Sequence, residues 1–176
     1  MKKTNKTLLV AVLLFVLSLL LDRKIAIFLR MIKNPVFDLF FGWITDFTTL
    51  FIFFILATTL FLISNKNRRY AIPLWASFLS SVAISFILKL VVARARPVEF
   101  FYIINALDYS FPSMHAMIVF SALPILNKKF QKLKWVWLAF AFLVAFSRLY
   151  FGFHFLSDVV FGAFFGYFIG IFLVDK

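Results

Sequence analysis

The sequence predicts an all-α, polytopic membrane protein folded as a six-transmembrane-helix bundle. Three observations carry that expectation. Hydrophobic residues make up 64% of the chain and 28 residues are Phe, whereas soluble domains run at roughly 45–50% apolar. The apolar residues fall in runs near the ~20 that a helix needs to cross hydrocarbon. Short basic clusters separate alternate runs, which is the charge asymmetry of membrane topology. A length of 176 residues fits one unit, so 1–176 is read as a single integral-membrane domain.

The N-terminal stretch joins a basic start to an apolar run. That pattern also describes a secretory signal, but no small-x-small cleavage site follows Leu21 and the rest of the chain is as apolar, so the run is read as a retained helix. The first span covers 7–21 and extends toward 25–32. Further spans are expected at 48–64, 71–93, 113–126, 135–149 and 155–174. Between the first two spans, 22–47 is mixed in charge and rich in aromatics. Its Ile25, Phe28 and Ile32, set against Arg30 and Lys33, predict a short helix lying in the interface.

The net charge of +12 would suggest nucleic acid as the partner of a soluble protein. Six spans explain it otherwise. Lys2, Lys3, Lys6, Lys66, Arg68, Arg69, Lys128, Lys129, Lys132, Lys134 and Lys176 then share one side, eleven basic residues against the single acid Asp175. On the other side Arg23, Lys24, Arg30, Lys33 and Arg94 are cancelled by Asp22, Asp38, Asp46, Glu99 and Asp108. The basicity is therefore a topology signal. It argues for both termini in the cytoplasm and against nucleic acid. The chain has no Cys and two His, which excludes disulfides and thiolate metal sites and leaves little for a histidine-rich one.

Lys89, Arg96, Arg148 and Asp158 remain outside this balance, and ionisable groups in or beside spans point to function. Taken singly, Lys89 and Arg148 fit cations that snorkel from helix ends. Lys89 and Arg96 are seven residues apart, so on a continued helix they share a face about 10 Å apart along the axis. Ser113 and His115 begin the fourth span on the same outer side. His154 and Asp158 are four apart, within reach on one helix face, where an acid fixes which imidazole nitrogen stays free. Gly162, Gly166 and Gly170 continue that stripe, so the Asp158 face should turn into the bundle.

Three segments together resemble the signature of the type 2 phosphatidic acid phosphatase superfamily. They are KLVVARARP with Lys89, Arg96 and Pro97, PSMH with Pro112, Ser113, Met114 and His115, and SRLYFGFHFLSD with Ser147, Arg148, His154 and Asp158. Met114 stands where the family has Gly and still offers its backbone N–H. The resemblance implies a metal-independent, cofactor-free lipid phosphatase. Lys89, Arg96, Ser113, Met114 and Arg148 would bind phosphate, and His154 would attack phosphorus to give a phosphohistidine. Asp158 would hold the ring of His154. His115 would protonate the leaving oxygen and then activate water.

With the site on the outer side, the expected partner is a lipid of the outer leaflet. Undecaprenyl diphosphate, phosphatidylglycerophosphate and the 1-phosphate of lipid A all fit, with Phe100, Phe101, Tyr102 and the 22–47 segment lining the approach. A lipid phosphotransferase of the same fold, a vanadate-using haloperoxidase and a small transporter with a His154–Asp158 proton relay are the rival readings. Oligomeric state is not indicated by the sequence.

Overall fold

The computed structural model describes residues 2–63, 68–97 and 109–174, with the backbone alone for residues 2–7 and 45. Among these residues the regular structure is helical: α1 (Lys2–Met31), α2 (Pro35–Thr45), α3 (Phe47–Leu62), α4 (Ala71–Val92), α5 (Met114–Lys129), α6 (Lys134–Tyr150) and α7 (Leu156–Val174). Single 3₁₀ turns at Arg68–Tyr70 and Gln131–Leu133 lead into α4 and α6.

The first apolar run and the expected interfacial segment are not separate. Nothing between Leu8 and Met31 is Gly or Pro, and α1 runs unbroken for 30 residues through Asp22, Arg23 and Lys24. Ile25, Phe28 and Arg30 thus belong to its last turns. The separate short helix is α2. Asn34 caps it by accepting the Phe37 N–H at 3.0 Å, and Pro35 occupies the first turn, where its missing N–H costs nothing. At Asp46 the backbone turns extended (ψ 137°), and α3 leaves at 46° to α2.

By length and composition α4 (with its leading 3₁₀ turn), α6 (likewise) and α7 each suffice to cross a membrane, and the bent α2–α3 pair makes a fourth candidate. The α5 helix has only 16 residues. Ala116, Met117, Ile118, Val119 and Ala122–Leu126 on it are buried, so α5 is a post wrapped by other helices rather than a lipid-facing one. Large apolar side chains instead point outward elsewhere, among them Leu13 and Leu20 of α1, Leu56 of α3, Leu79 of α4 and Phe142 of α6. That inversion suits hydrocarbon and not water.

The α7 helix approaches α5 through the predicted glycine stripe. A Cβ on Gly162 would sit 2.7 Å from the Ser113 carbonyl oxygen, and Cβ atoms on Gly166 and Gly170 would overlap the carbonyls of Met117 and Ser121. Both series step by four residues, so backbone lies against backbone along the helices. On the other flank, α4 presents Ser77, Ser81, Ser85 and Lys89, also every fourth residue and all buried. The Ser81 hydroxyl reaches the Met117 carbonyl at 3.5 Å. The Tyr150 hydroxyl pins α2 to α6 by donating to Asp38 at 2.8 Å.

These packings sort the ends of the helices. Lys89 closes α4, Met114 opens α5, Arg148 is in the last turn of α6, and α7 opens at Leu156, so the connections at one end carry the motifs. At the opposite end lie Arg68 and Arg69 before α4, Lys128 and Lys129 closing α5, and Lys134 opening α6. Lys128 there donates to the Val174 carbonyl at the end of α7 (3.2 Å).

Candidate functional site

The site is assembled where four helix ends meet. The α4 helix stops at Val92 because Ala93 adopts a left-handed conformation (φ 49°, ψ 38°), with its N–H on the Lys89 carbonyl at 2.9 Å. This corrects the expectation that Lys89 and Arg96 share a helix face. Arg96 lies past the break, in the non-helical stretch 93–97. Lys89 is buried in the last turn of α4, and its ammonium donates to the Tyr109 carbonyl.

The α6–α7 connection supplies the next group. Gly152 takes a positive φ of 72°, and the Phe153 N–H returns to the Arg148 carbonyl at 3.1 Å, so the chain folds under the end of α6. The Phe153 ring then sits beneath two guanidinium groups, that of Arg148 at 4.5 Å and that of Arg96 at 5.6 Å. Two like charges are thus held against one aromatic ring.

His154 follows, buried, with Nδ1 2.6 Å from the Ser110 carbonyl oxygen and 3.8 Å from Asp158 Oδ2. A carbonyl only accepts, so Nδ1 carries the hydrogen and Nε2 keeps its lone pair. Burial first, and then the charges of Arg148, Lys89 and Arg96, hold the His154 pKa well below the usual histidine range. The ring is therefore neutral at neutral pH. The expected contact between Asp158 and the ring is corrected in one respect: the Ser110 carbonyl takes the Nδ1–H, and the carboxylate lies one step back.

Asp158, in the first turn of α7, is fully buried. Its Oδ2 accepts the Phe155 N–H at 2.8 Å, and its backbone carbonyl accepts the Ser113 N–H at 3.1 Å. Ser113 is the N-cap residue of α5, just after a cis Phe111–Pro112 peptide. Its hydroxyl is buried, makes no capping bond and has no partner among the described residues. Next in the chain, the Met114 side chain packs toward the Phe54, Phe78 and Ile118 cluster, which leaves its N–H at the open start of the helix. His115 is half-buried, edge-on to Phe47 with ring centroids 6.0 Å apart.

Sequence reading missed two charged groups here. Arg94 and Asp22, counted only within the outer-side charge balance, are part of the site wall. Arg94 bonds Asp158 Oδ1 at 2.6 Å and Asp22 Oδ2 at 2.7 Å. The available signal was an acid inside an apolar run at Asp22, and an Arg two residues before the motif Arg96. Phe153 was also missed, as was the Ser110 carbonyl. The approach residues Phe100, Phe101 and Tyr102 lie outside the described residues, as do Glu99, Asp108, Lys66, Asp175 and Lys176 and the side chains of Lys2, Lys3 and Lys6.

An all-helical, multi-pass membrane protein with two histidines, a buried acid and a cationic cluster at one bundle end is thereby defined. A model of the PAP2 superfamily matches residues 70–175, and the chain belongs to that superfamily. An undecaprenyl-diphosphatase of Sulfolobus acidocaldarius is 35% identical over 113 residues, 60% of this chain and 54% of that protein. A bacitracin transport permease protein, BcrC, of Bacillus licheniformis is 36% identical over 69 residues, 39% of this chain and 34% of that one. The chain thus spans about half the length, or less, of these curated relatives. Among solved structures, a PAP2-type phosphatidylglycerolphosphate phosphatase of Bacillus subtilis superposes with a TM-score of 0.77 over 98% of this chain and 94% of its own, at 22% identity. LpxE of Aquifex aeolicus gives 0.72 over 89% and 96%, at 23% identity. Both share the fold.

Proposed function

We propose that residues 1–176 act as one integral-membrane phosphatase domain that hydrolyses a diphosphate or phosphomonoester on a membrane lipid. The observation that carries this reading is the convergence of Lys89, Arg96, Arg148, Ser113, His115 and His154 from four helix ends. A phosphate ester brings two or more negative charges, and three cations would neutralise them as charge moves in the transition state. The idle Ser113 hydroxyl and the first N–H groups of α5, Met114 among them, add donors at a helix N-terminus.

His154 Nε2 attacks phosphorus, the P–N bond forms, and the bond to the lipid oxygen breaks as that oxygen takes a proton from His115. His115, now neutral, draws a proton from water. The hydroxide displaces His154 and inorganic phosphate leaves. Charge neutralisation comes from side chains, so the reading assigns no step to a metal. Asp158 keeps the His154 connection in place.

Of the three lipid classes, undecaprenyl diphosphate is favoured by the 35% identity to a protein of that activity. The basic clusters support six spans with both termini in the cytoplasm and the site facing the outer leaflet of the cytoplasmic membrane. The name of the BcrC relative favours a second reading, a transporter, over its 69 matched residues.

One assay separates the readings. Purified protein in detergent micelles is offered undecaprenyl diphosphate, phosphatidylglycerophosphate and lipid A 1-phosphate, and free phosphate is measured. Release from the first, fastest of the three, is expected. His154→Ala should lower it by about 10⁴-fold while the protein still inserts. No release from any lipid would overturn the phosphatase reading, and substantial turnover by His154→Ala would overturn the nucleophile assignment.

A further inference from the structure

We propose that Asp22 and Arg94 are positioning residues that hold the Asp158 carboxylate, and through it the His154 connection, so that α1 completes a site whose motifs all lie in α4–α7. The proposal rests on reading His154 as the nucleophile.

Arg94, Asp22 and Ser157 close a ring of three side chains, and Asp158 joins it through Arg94. One guanidinium nitrogen of Arg94 donates to Asp158 Oδ1 at 2.6 Å and to the Ser157 hydroxyl oxygen at 2.7 Å. The other donates to Asp22 Oδ2 at 2.7 Å. Asp22 in turn accepts the Ser157 N–H at 2.8 Å and the Ser157 hydroxyl at 2.6 Å. The Arg94 guanidinium lies 4.2 Å from the centre of the Phe155 ring, which limits its swing.

Both carboxylates are buried, at 5% exposure for Asp22 and none for Asp158. A buried anion persists only when paired and hydrogen-bonded, and one fork here serves two anions from α1 and α7. A simple staple between two helices would not need to end on Asp158. This one does, and the other oxygen of Asp158 holds the N–H of Phe155, the residue beside His154. Asp22 also lies outside the matched stretch 70–175, so the family pattern does not assign it.

Loss of Asp22 frees one arm of Arg94 and lets Asp158 shift, which displaces His154 without touching Lys89, Arg96 or Arg148. The effect should therefore appear in kcat and not in KM. The test uses the full chain in dodecyl maltoside with undecaprenyl diphosphate as probe and phosphate release as readout, per mole of monodisperse protein. Asp22→Ala should lower kcat about 10- to 100-fold, as for a misplacement of order 1 Å, with KM within about 2-fold. Asp22→Asn keeps one of the two acceptor oxygens and should recover part of that loss, to a rate between those of Asp22→Ala and the native protein. Arg94→Lys keeps the cation but not the fork and should fall as Asp22→Ala does. The double variant should be no slower than the slower single one.

A normal kcat in Asp22→Ala, a change in KM alone, or losses that multiply in the double variant would each overturn the proposal. If Asp22→Ala does not fold, Ser157→Ala removes only the hydroxyl contacts and should slow kcat about 3- to 10-fold; no change there would overturn it equally. An active His154→Ala would sink the nucleophile reading itself, whereas an inactive one beside a normal Asp22→Ala would sink only the positioning role.

Discussion

Ser113 sets a buried hydroxyl beside its α5 helix start and leaves it without a partner among the described residues. Such a group costs stability in the free protein and returns it only when something accepts its proton. Ser113→Ala should therefore leave the melting temperature unchanged or slightly raised, since an idle polar atom is removed. The same change should lower kcat/KM by about 10²-fold, the usual cost of one preorganised donor to developing negative charge. Thermal unfolding in detergent and steady-state kinetics on one sample check both signs, and a destabilised but fully active variant would make Ser113 a structural residue. At this scale the sequence was informative where residue type alone carries the chemistry. Two histidines in a chain of 176 leave few choices, and both come to the same bundle end. It was uninformative where pairing decides. Asp22 and Arg94 are 72 residues apart, and a tally of charge by side sees only that they cancel; the fold buries Asp22 and hangs Asp158 on the same guanidinium. The acceptor for His154 is a backbone carbonyl, which no side-chain pattern announces.

Helices read from apolar runs stand at nearly their expected places, and the departures have local causes. Asp22, Arg23 and Lys24 suggested a break, but two long basic stems and a buried acid paired with Arg94 interrupt the apolar pattern, not the backbone, so α1 continues to Met31. The α4 helix ends one residue short of Ala93 because that residue takes φ 49°, a conformation with no sequence mark on an Ala. The glycine stripe was legible because close approach leaves a fixed residue type at a fixed spacing. It also yields a sharp contrast within one residue type. Gly166→Leu would drive a branched side chain into the Met117 backbone and should cost more than about 3 kcal/mol, with activity lost as α5 and Ser113 shift. Gly42, inside α2, has nothing within 4 Å of its missing Cβ. Gly42→Ala should therefore be neutral or stabilising by up to about 1 kcal/mol, the difference in helix propensity. Melting curves of both variants test this, and similar curves would mean that α7 does not ride on α5 as described.

At the scale of the whole molecule, the orientation in the bilayer decides which leaflet can present substrate. The site end holds Lys89, Arg148, His154 and the Arg94–Asp22 pair, together with the last turn of α1, whose Arg30 donates to the Pro97 carbonyl. The far end holds Arg68, Arg69, Lys128, Lys129, Lys132 and Lys134 with no described acid. Basic flanks of short connections are retained in the cytoplasm, so the far end should face inward and the site outward. The absence of Cys makes this directly testable, because any thiol must be an introduced one. Met31, 79% exposed at the end of α1, marks the site end, and the exposed Lys132 marks the other. In intact cells a membrane-impermeant maleimide should label Met31→Cys and spare Lys132→Cys. After permeabilisation both should react. The reverse pattern would turn the site toward the cytoplasm and confine the substrate to the inner leaflet. A charged head group does not cross hydrocarbon unaided, so the expected pattern would confine the proposed activity to lipid phosphates already exposed on the outer surface.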